Sequence, residues 1–119
     1  MTNEPGRRFR DAWIAGVRKH HPGEPKPGYV TPWEDTPAWE RAAAGAVEGQ
    51  VEAFLDVSEG HAGKLSREQK GRFVATCWIA QIHRLIADPK PGYVADWAEL
   101  PDWQRETDAD IFEALEARG

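Results

Sequence analysis

The chain has 119 residues, a mass of 13.3 kDa, a formal net charge of −5 and a pI near 5.3. This length fits one small domain, or two very small halves sharing a core, and the acidic balance argues against a general binder of nucleic-acid backbones. The single Cys77 excludes an internal disulfide framework and a cysteine-rich zinc site; no apolar run approaches the about 18 residues of a membrane span and none resembles a secretory leader, so a cytoplasmic setting without membrane attachment is expected.

Segment 7–20 places Phe9, Trp13, Val17 and His20 at helical intervals. Pro22, Gly23, Pro25, Pro27 and Gly28 then stop the helix and open a long loop, about 22–36. The spacing predicts a second helix over 37–57, with Thr36 as N-cap and Pro37 at the first position. Its apolar face is Trp39, Ala43, Val47, Val51, Phe54 and Leu55. A Gly-rich linker, 58–65, follows. Ser66 and Gln69 carry the signature of a capping box at the start of a third helix, about 66–87. Its broad face of Phe73, Val74, Cys77, Trp78, Ile82, Leu85 and Ile86 predicts the most buried helix of the four. A second long loop, about 88–100, leads to a last helix that starts at Pro101 and bears Trp103, Ile111, Ala114 and Leu115 on its face.

The chain is a tandem repeat. Residues 26–33 read KPGYVTPW and residues 90–97 read KPGYVADW. Aligned without gaps at an offset of 64, residues 26–54 match 90–118 at 11 of 29 positions, Trp and Pro among them. After a one-residue slip, Trp13-Ile14-Ala15 matches Trp78-Ile79-Ala80. Charge repeats too: residues 1–30 carry 6 Lys/Arg against 3 Asp/Glu, 31–60 carry 1 against 7, 61–90 carry 6 against 2, and 91–119 carry 2 against 8. Each half is thus a basic helix followed by an acidic one, which suits packing of one beside the other. The expected fold is all-α: one domain over 1–119, two pseudo-symmetric helix–long loop–helix repeats (about 7–57 and 66–118) packed as four helices.

No nucleophile elbow, P-loop or zinc-protease motif is present. Cys77 sits mid-helix on an apolar face, which reads as a structural thiol, and adjacent His20 and His21 point apart on a helix, so neither a metal nor a cofactor is expected. Glu34, Asp35, Glu40, Asp96, Glu99 and Asp102 form an acidic rim, whose first reading is charge favouring helix starts rather than a glycosidase pair. What stands out is an aromatic set at matched places with cations around it. Trp13 and Trp78 on the first helices read as core. The loop residues Lys26, Tyr29 and Trp33 with Arg41, and their counterparts Lys90, Tyr93 and Trp97 with Arg105, are the candidate ligand residues, because flat rings stack on a base and Lys or Arg pairs with phosphate or carboxylate.

The run Pro32-Trp33-Glu34-Asp35-Thr36-Pro37-Ala38-Trp39-Glu40-Arg41, and less fully Asp96-Trp97-Ala98-Glu99-Leu100-Pro101-Asp102-Trp103-Gln104-Arg105, resembles the P-W-x-x-x-P-x-x-x-R element of ryanodine-receptor repeat domains, which also occur as short bacterial and phage proteins. The motif covers about ten residues in each half, and Lys-Pro-Gly-Tyr-Val stands where the family often has G-W-x-Y-G. The resemblance implies a pseudo-symmetric pair of two-helix repeats with long loops. In the large channel such a pair is implicated in adenine-nucleotide binding with an aromatic stacking residue, which would put Trp33, Arg41, Trp97 and Arg105 at matching positions. The expectation is a non-catalytic binding module for a small anionic, nucleotide-like ligand held between the halves. The alternative partner is a protein, with the aromatics only pinning the loops.

Overall fold

The computed structural model describes residues 4–117; the last position of the second repeat, 118, lies outside them. Four helices carry the chain: α1 (Arg7–His20), α2 (Ala38–Val57), α3 (Arg67–Leu85) and α4 (Asp102–Glu116), with no strand among the described residues. The architecture is therefore all-α, as the apolar spacing predicts. Each long loop folds into two short 3-10 turns, Pro27–Val30 and Trp33–Asp35 in the first half, Pro91–Val94 and Trp97–Glu99 in the second. The element order of one half recurs in the other at the 64-residue offset of the sequence. The linker is ordered as well, as a 3-10 turn over His61–Lys64. No helix among the described residues is long and apolar enough to cross a membrane.

Helix starts follow local chemistry, with one correction. The Ser66 hydroxyl accepts the Gln69 N–H at 3.1 Å, and the Ser66 N–H donates to the Gln69 side chain at 2.9 Å, completing the capping box. Thr36 does not cap α2. Its hydroxyl donates to the Pro32 carbonyl at 2.9 Å, and the N-cap position falls one residue later, on Pro37, which has no side-chain acceptor to offer the helix amides. At the start of α1 the acceptor comes from another helix: the Glu48 carboxylate of α2 accepts the Phe9 N–H at 3.1 Å, satisfying one of the amides a helix start leaves open.

The helix at the centre is α4, not α3. It packs most extensively of all, against both α1 and α3, and Thr107, Ile111, Phe112 and Leu115 on it are fully buried. Phe73, Trp78 and Leu85 of α3, and Ile86 just beyond its end, remain half-buried. A broad apolar face reports how much of a helix is covered on average, whereas position in the bundle decides how completely. The alternation of charge is used across these contacts. Arg67 of α3 reaches Glu106, Asp110 and Glu113 of α4, Lys70 reaches Glu116 at 2.8 Å, and Arg10 of α1 reaches Glu40 of α2 at 2.9 Å.

Close approach of α3 to the second loop depends on Gly71. A Cβ there would stand 2.6 Å from Cη2 of Trp97 and 3.2 Å from the backbone N of Ala109, neither of which can move aside. Gly71→Ala is expected to cost about 1–3 kcal/mol, the usual range for overpacking, and to appear as a lower urea midpoint at unchanged slope. An unchanged midpoint would show that Trp97 does not sit over this glycine.

Candidate ligand cavity at the seam of the two halves

A cavity of about 400 Å³ lies between the halves, with walls from all four helices and both long loops. That volume is within the range of small-molecule sites. Six of its walls are Trp or Tyr: Trp13, Tyr29, Trp39, Trp78, Tyr93 and Trp103. They pair across the seam. Tyr29 of the first loop lies 5.6 Å from Trp103 of α4, and Tyr93 of the second loop lies 6.5 Å from Trp39 of α2. These two contacts exchange under the 64-residue offset, so each loop tyrosine leans on the tryptophan of the other half. Lys26 lines the cavity with its ammonium 5.9 Å from the Tyr29 ring centroid.

The polar groups break the symmetry. In the first half Arg10, 4% exposed, braces the loop. Its guanidinium donates to the Thr31 carbonyl at 2.9 and 3.1 Å, to the Gly28 carbonyl at 3.1 Å and to the Glu40 carboxylate at 2.9 Å. Burial lowers the Arg10 pKa and raises that of Glu40, and the attraction between them offsets each shift in part. The Trp13 indole N–H adds a bond to the Tyr29 carbonyl at 2.8 Å. In the second half the register that pairs Trp13 with Trp78 puts Ala75 where the first has Arg10, and the 64-residue offset puts Gln104 where it has Glu40 and Asp108 where it has Ala44. Ala75, Gln104 and Asp108 all line the cavity. Asp108 is 6% exposed, and its carboxylate has no hydrogen-bond or ionic partner among the described residues. Burial without compensation pushes its pKa well above the ordinary carboxylate range.

Of the eight candidate ligand residues, Lys26, Tyr29 and Tyr93 line this cavity and the other five do not. Lys90 is exposed to solvent. Trp33 and Trp97, expected as cavity walls, are 4% and 6% exposed and belong to the core. Arg41 and Arg105 lie over them, 5.9 and 6.0 Å from the ring centroids, and Arg105 also donates to the Leu100 carbonyl at 2.9 Å. Trp13 and Trp78, expected as core, are half-buried and face the cavity. The roles of the two tryptophan pairs are thus exchanged. Each loop folds back over its 3-10 turn and buries the ring that starts it, while the helix rings look into the gap that the crossing of the halves leaves.

Of the six acidic-rim residues, Glu40 lines the cavity, where it is paired with Arg10. Glu34, Asp35, Asp96, Glu99 and Asp102 are exposed and line no part of the cavity. Cys77 is buried in apolar surroundings that raise its thiol pKa, which keeps it protonated. His20 is paired with Asp110 at 2.8 Å, and among the described residues no group of three or more His, Cys, Asp or Glu is placed to hold a metal ion.

Fold and cavity together define a small helical module with an aromatic-walled chamber at its internal seam. Compared with family models, with curated proteins and with solved structures, the chain matches none.

Proposed function

We propose that this protein is a non-catalytic binding module for a small, flat, nucleotide-like ligand taken up between its two halves, and that it is a relative of the ryanodine-receptor repeat domains its two P-W-x-x-x-P elements resemble. The observation that carries the reading is the seam cavity, whose six Trp or Tyr walls stand beside Arg10, Lys26, Glu40, Gln104 and Asp108. Rings at this density give stacking surfaces for a conjugated plane. Arg10 and Glu40 neutralise each other, which leaves the single charge of Lys26 for an anionic group of the ligand and too little for a polyanion.

A thermal-shift screen against nucleotides and cyclic nucleotides tests this. A ligand at 100 times its Kd is expected to stabilise by about 2.7 kcal/mol. Tyr29→Ala or Trp39→Ala is expected to weaken binding by about 1–3 kcal/mol, the worth of one stacking contact. No shift with any of these compounds would favour the other reading, a protein adaptor whose rings only pin the loops.

A further inference from the structure

The two halves differ at the place where the first is most tightly braced. Arg10 fills its half of the seam and ties the loop carbonyls of Gly28 and Thr31 to Glu40. The matching place in the second half holds the methyl of Ala75, which lines the same cavity as Gly92 and Ala95 (the counterparts of Gly28 and Thr31) and as Asp108, whose carboxylate has no partner among the described residues. The Trp78 indole likewise makes no hydrogen bond to the second loop, unlike Trp13 to the first. A buried carboxylate without a partner is costly, and sequences break such rules mainly at functional sites. We propose that the second half is built to receive from outside what the first half carries in its own chain: a planar guanidine-type group of the ligand, forked onto Asp108 and packed over Ala75.

Guanidine-type groups fit because their parallel N–H donors match a carboxylate edge-on, while the flat face suits aromatic walls. An ammonium has the charge without the plane, and the cavity that Ala75 and Asp108 both line, about 400 Å³, is large enough to admit a guanidinium on its stem. The same donor edge occurs in two sources, a guanidinium cation and the neutral guanine ring of a nucleotide. The proposal rests on the reading of the seam cavity as a small-ligand site. It assigns the chemistry of the ligand's buried end.

The experiment has two parts, both on the full chain. In the first, thermal shifts are compared for methylguanidinium against methylammonium at equal ionic strength, and for guanosine monophosphate against inosine monophosphate, which lacks the exocyclic amine. A response to the guanidine-type member of either pair, with at least tenfold weaker apparent affinity for its control, is expected, and Asp108→Asn should abolish the preference; the pair that responds names the source. Equal responses within both pairs, or a preference that survives Asp108→Asn, would overturn the proposal. In the second part the chain supplies the group itself. Ala75→Arg is expected to raise Tm when Asp108 is present and to lose that gain in the Asp108→Asn background, with Ala75→Lys gaining less. Equal losses of Tm for Ala75→Arg in both backgrounds would overturn the proposal. Coupling of the introduced guanidinium to Asp108 without any small-molecule shift would leave the receptor chemistry standing and remove the small-ligand reading beneath it.

Discussion

Trp97→Ala is expected to destabilise the protein by about 3–5 kcal/mol, as is Trp33→Ala, the range for removing a large buried ring. Both residues open a 3-10 turn whose closing amide returns to them: the Leu100 N–H donates to the Trp97 carbonyl at 3.2 Å, and the Thr36 N–H to the Trp33 carbonyl at 3.1 Å. Trp97 packs in a cluster with Ala75, Leu100 and Ala95 and lies over Gly71. Truncating it would leave a void that the glycine cannot fill, and would free Arg105 from the ring it covers. Tyr93→Ala, at a ring 46% exposed, is expected to cost far less, because little of its area leaves water on folding. Urea unfolding of the three variants checks this. Trp97→Ala unfolding within about 1 kcal/mol of Tyr93→Ala would mean that the loop tryptophans are not core.

How far the sequence alone reaches can be judged from these same residues. The four helices and most of their ends follow from apolar spacing, from the Pro and Gly runs after His20 and Ile86, and from Ser66 with Gln69. The tandem repeat, and with it the expectation of a gap where the halves meet, follows from KPGYV and its echo, and a cavity does lie there. What the spacing does not contain is the direction in which one half turns against the other. Trp33 and Trp97 sit in loops, and loop residues are exposed more often than helix residues, so the sequence assigns them to the ligand. The loops here are short helical turns folded against the bundle, and the exposure is inverted. In the same way the face of α1 that meets α4 is set by the close fit of Gly16 against Thr107, where an added Cβ would stand 2.6 Å from Cγ2; no single-helix pattern reveals that.

Asp108 and Arg10 escape the sequence reading for a different reason. The identities between the halves draw the eye, whereas both residues lie at positions where the halves differ. The signal is present all the same: a charge on the buried face of a helix whose counterpart is alanine, once in each direction. In a duplicated fold, shared residues report what both copies need to fold, and the unshared charges report what only one copy does. Asp108 carries a burial cost that Ala44 does not.

Arg10→Ala is expected to be among the most damaging single changes in the protein, costing about 3–5 kcal/mol at neutral pH, the range for breaking one side of a buried ion pair. The Arg10 and Glu40 side chains are 5% and 23% exposed, and the substitution removes the donor on which Gly28, Thr31 and Glu40 all depend. The pair itself is no large source of stability, since burial already raises the Glu40 pKa even with Arg10 beside it. The damage comes from leaving Glu40 buried alone. That origin fixes the sign of the pH dependence. Without Arg10 the folded Glu40 pKa rises further above its unfolded value. Between those two values the folded state holds a proton that the unfolded chain has released, so the variant loses stability as pH rises and regains it as pH falls. The gap between variant and wild type should therefore narrow from about pH 8 towards about pH 5. Adding Glu40→Gln, the residue the second half has as Gln104, should recover part of the loss at neutral pH and flatten the dependence. Denaturant titrations of the three chains across that range decide it. A loss that is constant with pH, or no recovery in the double variant, would show that Arg10 acts by packing its stem and bracing the carbonyls, with Glu40 a bystander.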